Sequence, residues 1–222
     1  MAAILFGSIS SVADTSELQR DAFNRAFAAH GLDWHWDRDG YRAELGRAGG
    51  RDRIARYAQE RGEDVDADAV HATKSRLFQE SLPGAGLSAR PGVVDVLRTA
   101  RSGGERTGLV TTTSADNVAA LLDALAPDVR AEDFDVVVDA TEVTTPKPDP
   151  AVYTYALRAL GESAGTCVAV EDNPDGVRAA AAAGIACVAF PNENTVVQDF
   201  PDAAERVDHV DIDALRRLVS RG

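Results

Sequence analysis

From residue 88 onward the chain alternates short apolar runs with amphipathic stretches, and that alternation leaves few architectures open. Thr107 to Thr111, Phe134 to Val138, Thr166 to Val170 and Ile185 to Phe190 read as strands. Pro91 to Arg101, Asp116 to Leu125, Pro150 to Leu160, Pro174 to Ala183 and Ile212 to Val219 read as helices, with a short extended piece at Asp208 to Val210. Strands separated by helices of this length pair in parallel, with helices on both faces of the sheet. One more apolar run, Ala3 to Phe6, lies far upstream, across a region from Asp14 to about Leu82 that reads as helical. There Leu18, Ala22, Phe23, Ala26 and Phe27 recur at helical spacing, and Asp52 to Arg61 and Asp66 to Ser81 form two further helical stretches. The simplest arrangement puts the first strand in the sheet and makes the helical region an insertion. The expected organisation is therefore an α/β core of residues 1–15 and 83–222 with a helical domain of residues 16–82. Pro83-Gly84-Ala85-Gly86 punctuates the second boundary.

Composition narrows the partners. The 222 residues carry a formal charge of −13, which argues against nucleic acid or an anionic membrane. No apolar stretch approaches the roughly 20 residues that span a bilayer, and no basic-then-apolar leader opens the chain; a cytoplasmic location is expected. Cys167 and Cys187 both fall in apolar strand-like runs and read as buried free thiols. Only Lys74 and Lys147 are lysines, among 23 basic residues in all, so each lysine stands out. The aromatic triplet Trp34-His35-Trp36 reads as packing within the helical region.

In an open α/β sheet, ligands bind beyond the carboxyl ends of the strands. One strand here ends in Thr111-Thr112-Thr113-Ser114 and leads into a helix. That start suits a phosphate, whose charge backbone N–H groups would meet, and equally suits a plain helix cap. Another strand ends in Glu171-Asp172-Asn173-Pro174. Acids there either favour the helix dipole or hold a hard cation such as Mg²⁺. Between them, Thr145-Pro146-Lys147-Pro148 fixes a lysine between prolines. In the helical region, Gly49-Gly50-Arg51 forms a flexible turn suited to presenting Arg51 to an anion. Hydroxyl, lysine and acid pair, each at a strand end, together describe a phosphate and magnesium site.

These motifs resemble the haloacid dehalogenase superfamily, in the subclass with a helical cap inserted after the first strand. Within it the likeness is to CbbY-type sugar-phosphate phosphatases, with β-phosphoglucomutases as cousins. The second motif falls at Thr111, the third at Lys147-Pro148-Asp149-Pro150, and the fourth at Glu171-Asp172 with Gly176 and Ala179 following. Gly49-Gly50-Arg51-Asp52-Arg53-Ile54, Asp33-Trp34-His35-Trp36-Asp37 and Lys74 also look CbbY-like. The resemblance implies a Rossmann-like parallel core under an α-helical cap, and phosphate-ester hydrolysis through an aspartyl-phosphate. It implies that Thr111 and Lys147 hold the transferring phosphate. Mg²⁺ would be held by Asp172, with Glu171 beside it and the backbone carbonyl of residue 9. Arg51, Lys74 and Thr113 would contact the substrate's other phosphate or hydroxyls.

The first motif departs from the family pattern Phe-Asp-x-Asp-Gly-Thr-Leu. This chain reads Phe6-Gly7-Ser8-Ile9-Ser10-Ser11-Val12. Gly7 stands at the nucleophile's position and Ile9 at the position of the acid/base aspartate. Gln19 stands where many members carry histidine. A glycine cannot attack phosphorus, and losing a catalytic nucleophile costs on the order of 10⁴ to 10⁶ in rate. Ser8 is expected to point away if the strand alternates regularly; Ser10 and Ser11 lie nearer, but no base in this stretch would activate them. Lys147, without the nucleophile's carboxylate, is expected to pair with Glu171 or Asp172. The resulting expectation is an inactive family member with a weakened Mg²⁺ site. It would bind a phosphorylated sugar, inorganic phosphate or a partner protein. The alternatives are a slow phosphatase using a water or serine route, and a relic without a role.

Overall fold

The computed structural model describes residues 1–46 and 49–219. Positions 47, 48 and 220–222, which belong to the expected helical domain and core, lie outside the described residues.

The four residues of β1 (Ala3–Phe6) are fully buried and hydrogen-bond to strands on both sides. Around it stand β2 (Arg106–Val110), β3 (Val136–Val138), β4 (Cys167–Glu171), β5 (Ala186–Ala189) and β6 (Glu205–Arg206), in the order β3-β2-β1-β4-β5-β6. Every pairing is parallel; Phe6 sits level with Leu109 and Val170. Side chains alternate across a strand, and the core divides accordingly. Ile4, Phe6, Leu109, Val168, Val170 and Val188 join one apolar cluster, while Ala3, Leu5, Val110, Ala169 and Cys187 join the other. A sheet covered on both faces needs apolar residues at successive positions, which is why these runs are continuously hydrophobic.

The one-turn helix α1 (Ile9–Val12) and the longer α2 (Ser16–Ala29) follow β1, then α3 (Arg38–Glu44), α4 (Gly50–Arg61) and α5 (Ala67–Ser81). Further along the chain come α6 (Val93–Gly103), α7 (Ala115–Leu125), α8 (Ala151–Leu160), α9 (Pro174–Ala182) and α10 (Ile212–Val219). In α6, Val93, Val96, Leu97 and Ala100 form the buried stripe, the spacing of a helix with one face on a sheet. Gly104, at φ +76°, ends it in the left-handed conformation. No described helix is long and apolar enough to cross a membrane.

Between β1 and β2 the helices share an aromatic cluster. Trp36 packs edge-on to Phe27 at 4.7 Å and to Tyr57 at 5.3 Å, and Trp34 lies 5.2 Å from Phe27. Both indoles are buried, so the triplet packs as expected, and His35 alone faces out. Cys167 and Cys187 are buried free thiols.

Two sequence expectations shift. Phe134 does not begin a strand: it closes a 3₁₀ turn (Ala131–Asp133) and stacks edge-on to Phe6 at 6.4 Å. The Asp135 side chain then accepts the Thr107 N–H at 2.8 Å, which leaves only Val136–Val138 in the ladder. The last strand lies at Glu205–Arg206, not Asp208–Val210; the Val210 N–H bonds instead to the Pro91 carbonyl.

Phe27 is fully buried at the centre of the aromatic cluster. Phe27→Ala should lower unfolding stability by about 3–5 kcal/mol, read as a fall in the urea midpoint with the slope unchanged.

Candidate functional site

The chain leaves β1 at Phe6 and turns at once. Ser8 caps α1, its Oγ accepting the Ser11 N–H at 2.9 Å, while Ser11 Oγ donates to the Ser8 carbonyl at 2.6 Å. Because the strand has ended, the alternation that would point Ser8 away no longer applies. Its hydroxyl instead donates to Asp172 Oδ1 at 2.7 Å. The serine run is thus a one-turn helix cap, and Ser10 pairs with Thr15.

Directly beneath this turn lies a buried ion pair. Lys147 Nζ donates to Glu171 Oε1 at 2.6 Å, to the Val110 carbonyl at 3.0 Å and to the Gly7 carbonyl. Three donors meet three acceptors, so the ammonium is saturated from within. Tyr153 donates to the same Glu171 oxygen at 2.8 Å. Burial pushes the Glu171 carboxyl up from its ordinary range, against the pull of Lys147. A Cβ built on Gly7 would fall deep inside the van der Waals envelope of both Glu171 Oε1 and Tyr153 Oη. The space where a side chain at position 7 would begin is therefore filled by the neighbouring carboxylate and phenol. Of the two acids named from sequence, Lys147 pairs with Glu171, and this turns Glu171 inward, away from any ligand.

Asp172 faces the opposite way, at the floor of a cavity of about 650 Å³. Its Oδ1 accepts from Ser8 and from Asn173 Nδ2 at 2.9 Å, and its Oδ2 from Asn192 Nδ2 at 2.6 Å. Thr195 Oγ1 donates to its backbone carbonyl at 2.5 Å. The Ile9 carbonyl, expected to face a metal, accepts the Ala13 N–H as part of α1. Mg²⁺ wants near-octahedral oxygen ligands. Here Asp172 already accepts three hydrogen bonds, the other carboxylate on the cavity, Asp116, belongs to the first turn of α7, and no cluster of three or more metal-binding side chains occurs among the described residues. The donor set does not fit the ion.

Thr111, Thr113 and Ser114 line one wall of the cavity, at the carboxyl end of β2 and the start of α7. Thr111 Oγ1 accepts the Thr113 N–H at 3.2 Å, and Ser114 caps α7 through the Asn117 N–H. The opposite wall comes from α2, α4 and α5: Gln19, Phe23, Arg53, His71 and Lys74. Lys147 is absent from this cavity and lines a second crevice, beside Arg56 and Arg178.

Arg51 is not brought to the site. It is half-exposed, forks onto Asp68 with two bonds of 3.1 Å, and pairs with Asp52. Arg53 takes the place expected of it. The helix begins at Gly50, and two residues along a helix turn the side chain to nearly the opposite face. Arg53 is buried, lies 5.7 Å from the Phe23 ring centre and 5.9 Å from that of Tyr41, and donates to the Glu44 carbonyl at 2.9 Å. Lys74 is buried too, between the Phe23 and Phe78 rings at 4.8 and 5.1 Å, with Gln19 Oε1 accepting from its ammonium. Burial lowers its pKa to about 7, with Arg53 adding to the effect. Burial, Lys74 and Arg53 together lower His71 to about 4, which leaves its imidazole neutral at pH 7. Sequence spacing did not single out His71, Asn192 or Thr195; the Pro191-Asn192 turn after β5 was the only signal available for the last two.

The chain belongs to the haloacid dehalogenase-like hydrolase family, whose model matches residues 6–184. Within that family it is similar to the protein CbbY of Cereibacter sphaeroides, at 38% identity over 93% of this chain and 91% of that one. The crystal structure of CbbY from Rhodobacter sphaeroides in complex with phosphate superposes with a TM-score of 0.87, at 37% identity and 94% coverage of both chains. A mutant of that protein, solved in complex with xylulose-(1,5)bisphosphate, matches equally well.

Two outcomes follow from the buried charges. Gly7→Ala should destabilise the protein by about 1–3 kcal/mol, because its methyl must displace Glu171 and Tyr153; urea unfolding measures it. Lys74 gives a pH signature. The unfolded lysine holds its proton up to its ordinary range near 10.5, whereas the folded one releases it near 7. Between those values the unfolded state binds more protons, so stability rises with pH. Urea midpoints taken across this window should climb more steeply for the unaltered protein than for Lys74→Met.

Proposed function

We propose that this chain is a phosphosugar-binding member of its family that does not turn substrate over by the aspartyl-phosphate route. The observation carrying this reading is the occupied space at Gly7. No side chain there can attack phosphorus, Glu171 and Tyr153 fill the position, and Lys147 spends its donors inside the fold. Ile9 offers no proton at the second position, and Asp172 does not make a Mg²⁺ site by itself.

Residues 16–82 form the cap of this reading, and residues 1–15 with 83–222 the core. The cavity between them takes the ligand, with a phosphate at Thr111, Thr113 and the start of α7 and a second anionic group at Arg53 and Lys74. The xylulose bisphosphate bound by the CbbY mutant motivates a bisphosphorylated or monophosphorylated sugar as ligand. Inorganic phosphate is the minimal one.

A phosphate-release assay with Mg²⁺ over sugar phosphates and bisphosphates tests the reading. Release should not exceed a metal-only blank; turnover by the unaltered protein would overturn it. In parallel, a sugar bisphosphate at a hundredfold excess over Kd should stabilise the fold by about 2.7 kcal/mol, seen as a rise in Tm of several degrees. Arg53→Gln should reduce that shift sharply, and Arg51→Gln should leave it nearly unchanged.

A further inference from the structure

The cap-side wall of the cavity carries an amine in unusual company. Lys74 Nζ has a neutral amide, Gln19, as its hydrogen-bond partner and two aromatic faces around it. No carboxylate pairs with it among the described residues, and Arg53 lies on the same wall. Desolvation and a neighbouring cation both favour the uncharged amine, and the group is driven toward that form at neutral pH. A lysine desolvated beside another cation is an activated nucleophile toward carbonyl carbon. His71 sits three residues earlier on α5, on the same helical face, and also lines the cavity. Its neutral imidazole has one donor and one acceptor nitrogen and so can carry a proton in either direction. A wall meant only to attract anions needs neither feature.

We propose that Lys74 is the nucleophile of a carbonyl-capture site, forming an imine with the keto or aldehyde carbon of an open-chain phosphorylated sugar, with His71 as proton carrier. This rests on the phosphosugar-binding reading and narrows its ligand to sugars with a free carbonyl. The Lys74 nitrogen attacks the carbonyl carbon; a C–N bond forms and the C=O π electrons move to oxygen. The proton lost by nitrogen passes through His71 to that oxygen, giving a carbinolamine. The nitrogen lone pair then expels the oxygen, which takes the second nitrogen proton and leaves as water. One amine and one carbonyl thus give one imine and one water, with no oxidant or reductant. A phosphate contact at Thr113, on the wall away from the amine, holds the sugar while the bond forms and reverses.

Ribulose 5-phosphate is a suitable probe, since its esterified 5-oxygen keeps the carbonyl from closing into a five- or six-membered ring. The protein is incubated with it, reduced with borohydride, and mapped by peptide mass. Ribitol 5-phosphate, the same skeleton without a carbonyl, is tested alongside by thermal shift. The expected result is one reduced sugar phosphate on Lys74, little on Lys147, loss of the adduct on competition with ribitol 5-phosphate, and no adduct in Lys74→Arg. His71→Gln should slow trapping by about 10²-fold, as for loss of a general acid–base group. Mapping is done on the unaltered protein, so a variant that fails to fold does not blunt the test. A Tm rise with ribitol 5-phosphate but no Lys74 adduct would overturn the imine and leave the binding reading standing. Neither a Tm rise nor an adduct would overturn both. Adducts spread evenly over Lys74, Lys147 and the N-terminus, or insensitive to ribitol 5-phosphate, would overturn the capture site as indiscriminate glycation.

Discussion

The ion pair between Lys147 and Glu171 lies where the strand ends of β1, β2 and β4 meet, and the arrangement above it follows from how it is satisfied. Both groups are buried, and a buried charge is tolerable only when paired and hydrogen-bonded. The ammonium meets this condition with two backbone carbonyls and one carboxylate oxygen; that oxygen also accepts from Tyr153. Glu171 Oε2 finds no partner among the described residues, which fits a carboxyl pushed upward by burial. The geometry depends on two glycines. A Cβ on Gly7 or on Gly176 would collide with the Glu171 carboxylate, so absent side chains at two positions make room for one buried acid.

That arrangement moves the site's available positive charge. With Lys147 turned inward, the cations on the main cavity come from α4 and α5, at Arg53, Lys74 and Arg76, the last paired with Glu80. The acid facing them, Asp172, is held by Ser8, Asn173 and Asn192, a ring of neutral donors where a catalytic metal site would place further carboxylates. The strand ends of β2 and β4 and the helix starts after them contribute hydroxyls, amides and the carboxylates of Asp116 and Asp172, and α4 and α5 contribute the cations. The positive charge on the cavity thereby comes from the helices between β1 and β2.

The parallel sheet was legible because a strand buried on both faces must be apolar at every position, as Ala3–Phe6 and Cys167–Glu171 largely are. β6 was not: Glu205–Arg206 is an exposed, charged edge pair, held by backbone bonds that leave no hydrophobic trace. Thr111, Lys147, Glu171 and Asp172 were readable as strand-end residues, His71, Asn192 and Thr195 were not, and no side chain's direction was. Ser8 turned inward because a capping serine ends the alternation, and Arg51 turned outward because α4 starts at Gly50 and puts Arg53 on the cavity face. Lys147 was expected to pair with Glu171 or Asp172, and it pairs with Glu171. That the pair would also consume every donor of the lysine depends on two carbonyls, of Gly7 and Val110, which no side-chain pattern encodes.

The composition of the wall formed by α2, α4 and α5 sets one more constraint. Removing an ammonium from water costs several kcal/mol even after relaxation. A cation over an aromatic face regains about 0.5–2 kcal/mol, and Lys74 has two such faces and one amide. These partners therefore leave Lys74 poorly compensated as a cation and better compensated as a free amine. An anion bound beside Arg53 would shift that balance back toward the ammonium, since an opposite charge within a few ångströms favours the charged form. The protonation state of Lys74 is thus coupled to what the cavity holds. A dianionic phosphate placed next to it would quench its nucleophilicity, whereas a phosphate anchored across the cavity at Thr113, with a carbonyl reaching the lysine, would leave the amine free to react.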